Sequence, residues 1–353
     1  MTPHLLSPSI RESGLVFFVP NGKLLVSLQL LLKDRKTIWR IADNKTETNN
    51  PSQMSSNRSI LLNVVIMIMT CIVPRPLTLM AQERHALLVG ISDYPQYTDN
   101  DASWTKIHGV NDVQLIKPIL KKQGFRINTL QDKTATYKAI TKSLVKLKNE
   151  VGEGDIVYLH FSGHGQAVED ESGDEEDGWD EAFIPYDAQR RYRVKVYSGE
   201  KHLLDDELNE YLNAIREKIG QRGILYVVLD ACHAGSSYRG EAVEDSVFVR
   251  GTDIGFSKSG KNYAPRIDKR GNIRIKSSAG LSPLYMIEAC RSYEVNTEIK
   301  QDGKYYGPIS YFISQQLLTQ SLSYDINWIE NVRKAMDMDV RLIRQHMVVE
   351  SSK

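Results

Sequence analysis

Cysteine is scarce in this sequence: Cys71, Cys232 and Cys290 are the three in 353 residues. That number excludes a disulfide framework, and it excludes an all-cysteine zinc site, which takes four thiolates. An excess of one charge is also missing. Forty-five Lys and Arg stand against 44 Asp and Glu, a net charge of +1, so no global field points to nucleic acid or to a membrane surface. No heptad, collagen-like or 20–50-residue repeat is visible. The strongest apolar run, 60–73, is broken by Asn63 and Thr70. It is too short to cross hydrocarbon as a helix, which takes roughly 20 residues. What is present is ordinary for a globular chain, with 41% hydrophobic and 25% charged residues, enough to build a sizeable core.

The first 81 residues read apart from the rest. Residues 1–53 show no sustained period and are expected to be an unstructured, over-extended N-terminus. From Met54, Arg58 supplies a positive start and 60–73 an apolar stretch of the length found in secretory signal peptides. Residues 54–81 are therefore expected to be a signal peptide cleaved after Ala81. The mature protein is then secreted or periplasmic, with no stable membrane anchor after cleavage.

From His85 onward the pattern alternates. Short apolar runs at 85–91, 125–130, 155–161, 182–185, 224–229 and 284–289 read as strands. Between and after them, amphipathic spacing predicts helices over 111–123, 134–151, 205–219, 310–318 and 327–346. Alternation of this kind gives an α/β fold, a mostly parallel central sheet with helices on both faces. The expected domain spans 82–325, with a large part at 82–238, a basic linker at 239–280 and a small part at 281–325. A helical extension follows at 326–353.

Reactive groups in such sheets gather beyond the carboxyl ends of strands. Two runs end in reactive side chains. One leads into Ser162-Gly163-His164-Gly165, the other into Asp230-Ala231-Cys232-His233-Ala234-Gly235. A cysteine nucleophile needs an imidazole close in space, not in sequence, to reach the thiolate near neutral pH. The glycines suit tight turns with free backbone N–H groups, donors for a developing oxyanion. His233, adjacent to the thiol, would point away from it. Cys290 also follows a strand, but reads as a small buried hydrophobe. Asp230, two residues before Cys232 on an extended segment, shares its face.

The two motifs, with Gly173-Asp174-Glu175-Glu176-Asp177-Gly178-Trp179-Asp180-Glu181 and Leu204-Asp205-Asp206-Glu207-Leu208 in order between them, resemble those of the metacaspases, a branch of the caspase-like cysteine peptidases. The resemblance runs over roughly 84–320. It implies a cysteine endopeptidase in which Cys232 is the nucleophile and His164 its base. It implies an oxyanion hole made by the backbone N–H groups of Gly165 and Cys232. It implies an S1 pocket, the pocket for the residue before the scissile bond, lined by Asp230, Asp112 and Ser162. A carboxylate pair there attracts a basic side chain, so cleavage after Arg or Lys is expected, and not after Asp. No cofactor is required. Calcium activation is implied for some members, with ligands matching Asp180, Asp205 and Asp206; Arg239 stands where a fourth ligand falls in that group.

Two charged stretches remain. Residues 169–181 carry nine carboxylates, and 239–276 carry nine Lys or Arg. The first reads as a solvated loop or as a hard-cation site. The second reads as a surface loop that an Arg/Lys-specific enzyme would itself cut, with Arg250, Lys258, Lys261, Arg266, Lys269 and Arg270 as unranked candidates. The expected partners are protein or peptide substrates with a basic P1 residue, and no nucleic acid. A catalytically silent caspase-like interaction module is the alternative. A thiol redox or acyl-transfer enzyme is disfavoured, because there is no Cys-x-x-Cys pair.

Overall fold

Three mainly apolar runs form the centre of the sheet: β1 (Arg84–Gly90), β3 (Ile156–Ser162) and β7 (Ile224–Asp230). Their residues are buried almost throughout, as expected for parallel strands covered on both faces. This computed structural model describes residues 82–173, 175–232 and 247–352. The chain divides into two units, Met1–Thr78 and Leu79–Lys353. The leading segment and the expected signal peptide lie outside the described residues.

The sheet has seven strands. β2 (Arg126–Gln131) forms one edge, and β9 (Leu284–Glu288), β12 (Val348–Ser352) and β8 (Asn272–Arg274) continue it beyond β7 in the order β2-β1-β3-β7-β9-β12-β8. The first five are mutually parallel, and β12 runs antiparallel to β9. Alternate side chains enter opposite layers, as the two-residue period requires. Leu87, Val89, Val157 and Leu159 pack against α2 (Tyr137–Glu150) and α3 (Asp205–Ile219). Ala86, Leu88, Tyr158, Tyr226 and Val228 pack instead with α1 (Gly109–Lys122), α4 (Pro308–Leu317) and α5 (Asn327–Asp337). The architecture is thus the α/β sheet with helices on both faces. Beside it, β4 (Gly165–Glu169), β5 (Trp179–Phe183) and β6 (Leu203–Leu204) form a small antiparallel sheet. β10 (Ile299–Gln301) and β11 (Lys304–Tyr306) form a hairpin.

Two expectations are corrected. The closing segment is not helical to its end: α5 stops at Asp337, and the chain returns as β12. Val348 and Val349 are buried there against β9, where β-branched side chains fit the pleat better than a helix. The basic stretch is not a bare connector either. Val249 bridges Thr297, Val168 bridges Phe256, and β8 joins the sheet. Its cations lie on the acidic run, with Lys258 at 2.8 Å from Glu171, Arg266 at 2.7 Å from Glu176, and Lys261 over the Trp179 ring. The two ion pairs are exposed and each contributes under about 1 kcal/mol. Together they set the course of the segment over that run.

Candidate active site

Neighbouring strands in register place the two reactive turns side by side. Ser162 on β3 stands opposite Asp230 on β7, and the Gly163 N–H donates to the Asp230 carbonyl at 3.3 Å. The chain then delivers His164 and Cys232 from adjacent strand ends.

His164 is fully buried, stacked on Trp104 with ring centroids 4.8 Å apart and tilted against Tyr94 at 5.1 Å. Its Nε2 lies 2.9 Å from the Thr105 carbonyl oxygen. A carbonyl only accepts, so Nε2 carries the proton and Nδ1 is the free lone pair. Nδ1 is buried and has no hydrogen-bond partner. Burial depresses the ring's pKa to about 4 against the smaller opposing pull of the Thr105 carbonyl, which keeps it neutral at pH 7.

Cys232 is buried, and its Sγ donates to the Glu294 carbonyl at 2.9 Å. Cys290 Sγ approaches the same oxygen at 3.7 Å. A hydrogen bond with Cys232, then burial, push the Cys290 thiol well above its ordinary range. No hydrogen bond joins Cys232 Sγ to His164 Nδ1 in this arrangement.

The backbone N–H groups of Gly165 and Cys232 converge on one acceptor. Both donate to the Arg250 carbonyl oxygen, at 3.1 and 3.0 Å. The segment carrying Arg250 is extended and pairs like an added strand. Val249 bridges Thr297 antiparallel, the Arg250 N–H donates to the Asn296 carbonyl at 3.0 Å, and Glu298 N–H to the Phe248 carbonyl at 2.9 Å.

The Arg250 side chain is completely buried among three carboxylates. Nη1 lies 2.7 Å from Asp112 Oδ2, 2.6 Å from Ser162 Oγ and 3.4 Å from Asp230 Oδ1. Nε and Nη2 both donate to Glu298 Oε1, at 3.1 and 2.8 Å. The acids are themselves held. Asp112, in the first turn of α1, accepts from Gly307 N–H at 3.0 Å and Ser162 Oγ at 2.5 Å. Asp230 accepts from Asn296 Nδ2 at 2.8 Å and from Ser310 N–H at 3.0 Å. Gly307 has no room for a side chain, because a Cβ would land on the Asp230 carboxylate. Burial lifts the Asp112 pKa to about 7 even though the Arg250 cation opposes the rise. Burial pushes Glu298 up too, but Arg250 and His108 prevail and hold it below its ordinary value.

The expected backbone donors and S1 residues therefore come together around a residue of the chain itself, and the two residues of the expected dyad follow adjacent strand ends. Four residues of the small part escaped the sequence reading: Asn296, Glu298, Gly307 and Ser310. They sit in no motif, and only the sheet and the hairpin bring them to β3 and β7.

The expected calcium ligands line two different cavities. Asp180 and Asp206 line a cavity of about 460 Å³, while Asp205 lines a separate one with Glu181, Glu288 and Glu350. Among the described residues, no group of three or more acidic, His or Cys side chains is disposed to hold a metal. Asp174, His233 and Arg239 lie outside the described residues.

Residues 84–239 match the family described as metacaspase, peptidase C14 domain. Metacaspase-1 of Mycosarcoma maydis is 25% identical over 284 residues, covering 69% of this chain and 65% of that protein. Metacaspase-7 of Arabidopsis thaliana is 30% identical over 163 residues, covering 43% of this chain and 35% of its own length. The chain thus matches less than two thirds of either relative. A crystal structure of a Geobacter sulfurreducens protein superposes with a TM-score of 0.52 at 20% identity, over 76% of this chain and 93% of that one. At that identity it speaks for the fold alone.

Proposed function

We propose, from the premise that this chain is a metacaspase-type member of the caspase-like cysteine peptidases, that it is an endopeptidase cutting after Arg or Lys, and that it cuts itself between Arg250 and Gly251. One observation carries this reading. Arg250 has its carbonyl oxygen on two convergent N–H groups and its guanidinium in a buried acidic pocket. That is how a substrate residue would lie before its peptide bond is cleaved.

The chemistry follows from the groups in place. Nδ1 of His164 is neutral, unprotonated and without a partner, so it can take the Cys232 proton as the thiol leaves the Glu294 carbonyl. Sulfur then adds to the carbonyl carbon before the scissile bond. The oxygen becomes negative and is held by the N–H groups of Gly165 and Cys232, donors fixed before the charge appears. The imidazolium returns its proton to the leaving amine, which departs as the acyl-enzyme forms. Water, deprotonated by the same Nδ1, hydrolyses the thioester and restores the thiol. The Thr105 carbonyl and the Trp104 face hold the ring in the tautomer this needs.

Specificity rests on charge. Asp112 and Asp230 present acid where an Asp-cutting enzyme would need cations. The same contacts explain restraint: while Arg250 fills the pocket, other polypeptides are kept out. The leader at 54–81 supports export to the periplasm or the medium as the setting in which it acts.

The experiment is a peptide assay with Arg, Lys or Asp before the scissile bond, on wild type and Cys232→Ala. Turnover of the basic peptides alone, abolished in the variant, is the expected result. Preference for Asp, or equal activity in the variant, would overturn the proposal.

A further inference from the structure

The pocket holds a third acid that the family resemblance did not point to. Glu298 is fully buried and meets a part of the guanidinium that Asp112, Asp230 and Ser162 do not. Those three gather at Nη1, whereas Glu298 Oε1 takes both Nε and Nη2. An arginine side chain offers donors on both edges of a rigid plane. A lysine offers one ammonium at the end of a carbon chain, and where arginine has Nε it has a methylene. A lysine that reached the Nη1 group would leave buried Glu298 without the two donors that Nε and Nη2 supply.

Glu298 is also tied to the neighbouring subsite. His108 donates its backbone N–H to Oε1 at 2.7 Å, and its Nδ1 lies 2.6 Å from Oε2. The same imidazole packs edge-on against Phe248 at 4.5 Å and stacks on Tyr305 at 5.1 Å, while Tyr305 meets Phe248 at 4.7 Å. Phe248, two residues before Arg250, thus sits in a slot formed by His108 and Tyr305.

We propose that Glu298 and His108 form one specificity element that reads two substrate positions together, arginine rather than lysine at P1 and an aromatic residue at P3. The substrates are then polypeptides with an aromatic residue two places before an arginine. Glu298 is the residue that tells arginine from lysine. His108 forms the aromatic slot and positions Glu298. The assignment rests on the peptidase reading above.

The test uses the full-length chain and four fluorogenic tripeptide amides: Phe-Val-Arg, Phe-Val-Lys, Ala-Val-Arg and Ala-Val-Lys. Wild type should favour Arg over Lys by about tenfold or more in kcat/KM, the scale of a lost buried polar pairing, and Phe over Ala severalfold. Glu298→Gln should collapse the Arg:Lys ratio by slowing the arginine peptides far more than the lysine peptides. His108→Ala should remove the preference for Phe and also lower the Arg:Lys ratio, a coupling that a merely structural loss would not produce. The wild-type ratios need no variant to fold. An Arg:Lys ratio near one in wild type, or one unmoved by Glu298→Gln, overturns the assignment and leaves the peptidase reading standing. An aromatic preference that survives His108→Ala overturns it as well. Absence of turnover on all four, with an uncut chain, removes the peptidase reading and this assignment with it.

Discussion

Replacing Arg250 with Gln tests how far this one side chain holds the site together. The variant removes the cation from a fully buried cluster of Asp112, Asp230 and Glu298. Breaking a buried ion pair by deleting one partner costs about 3–5 kcal/mol, because the remaining charge is uncompensated. For a unit of this size that is a fall in Tm of roughly 6–20 °C. The loss should depend on pH in a definite direction. Asp112 has its pKa raised by burial to about 7 with the cation present. A raised acid contributes stability at low pH that is lost as pH climbs through its folded pKa. Without Arg250 that pKa rises further, so the variant's deficit should be smaller at pH 5.5, where Asp112 is already protonated, and largest at pH 8.5. Calorimetry of Arg250→Gln against its parent at both pH values, each in a Cys232→Ala background to prevent cutting, reads this directly. A Tm difference under about 2 °C at pH 8.5, or a larger deficit in acid, would refute the account of the pocket.

Other outcomes follow from the same contacts. Phe248→Ala removes an aromatic contact of about 1 kcal/mol and should slow self-cleavage about fivefold by gel densitometry; an unchanged rate would deny the slot any role. For added Arg peptides, KM should climb as pH falls through the Asp112 titration, which lies at about 7 with a guanidinium in the pocket and higher without one, while kcat holds toward pH 5, since His164 is depressed to about 4; a kcat limb near 6.5 would contradict the neutral imidazole. Gly307→Ala puts a methyl group on the Asp230 carboxylate, and should raise KM for Arg peptides at least tenfold with the fold retained by circular dichroism.

The sheet was legible because its signal is local. Mainly apolar strands alternate with helices of regular spacing, and α3 falls on the residues where its Leu208, Leu212 and Ile215 stripe predicts it. The reactive turns were legible for the same reason, as glycine-bracketed polar residues after such strands. Asp112 and Ser162 came from resemblance, and the structure joins them by a hydrogen bond. The rest depends on contacts distant in sequence. Glu298 reaches Arg250 across 48 positions and His108 across 190, and no local pattern records either. Val348 and Val349 looked like the tail of a helix because the unpaired edge of β9, which they cover, lies 60 residues away. Among six basic candidates in the linker, only Arg250 is wholly buried, and burial is not written in the composition of a loop.

The central claim is that Cys232 acts on the peptide bond after Arg250. N-terminal sequencing and intact mass of the purified full-length chain, beside Cys232→Ala prepared identically, test it most directly. The account predicts one new N-terminus, at Gly251, in wild type and an uncut chain in the variant. Cutting of both to the same extent, or cutting of wild type at any of the exposed linker cations in place of Arg250, would contradict it.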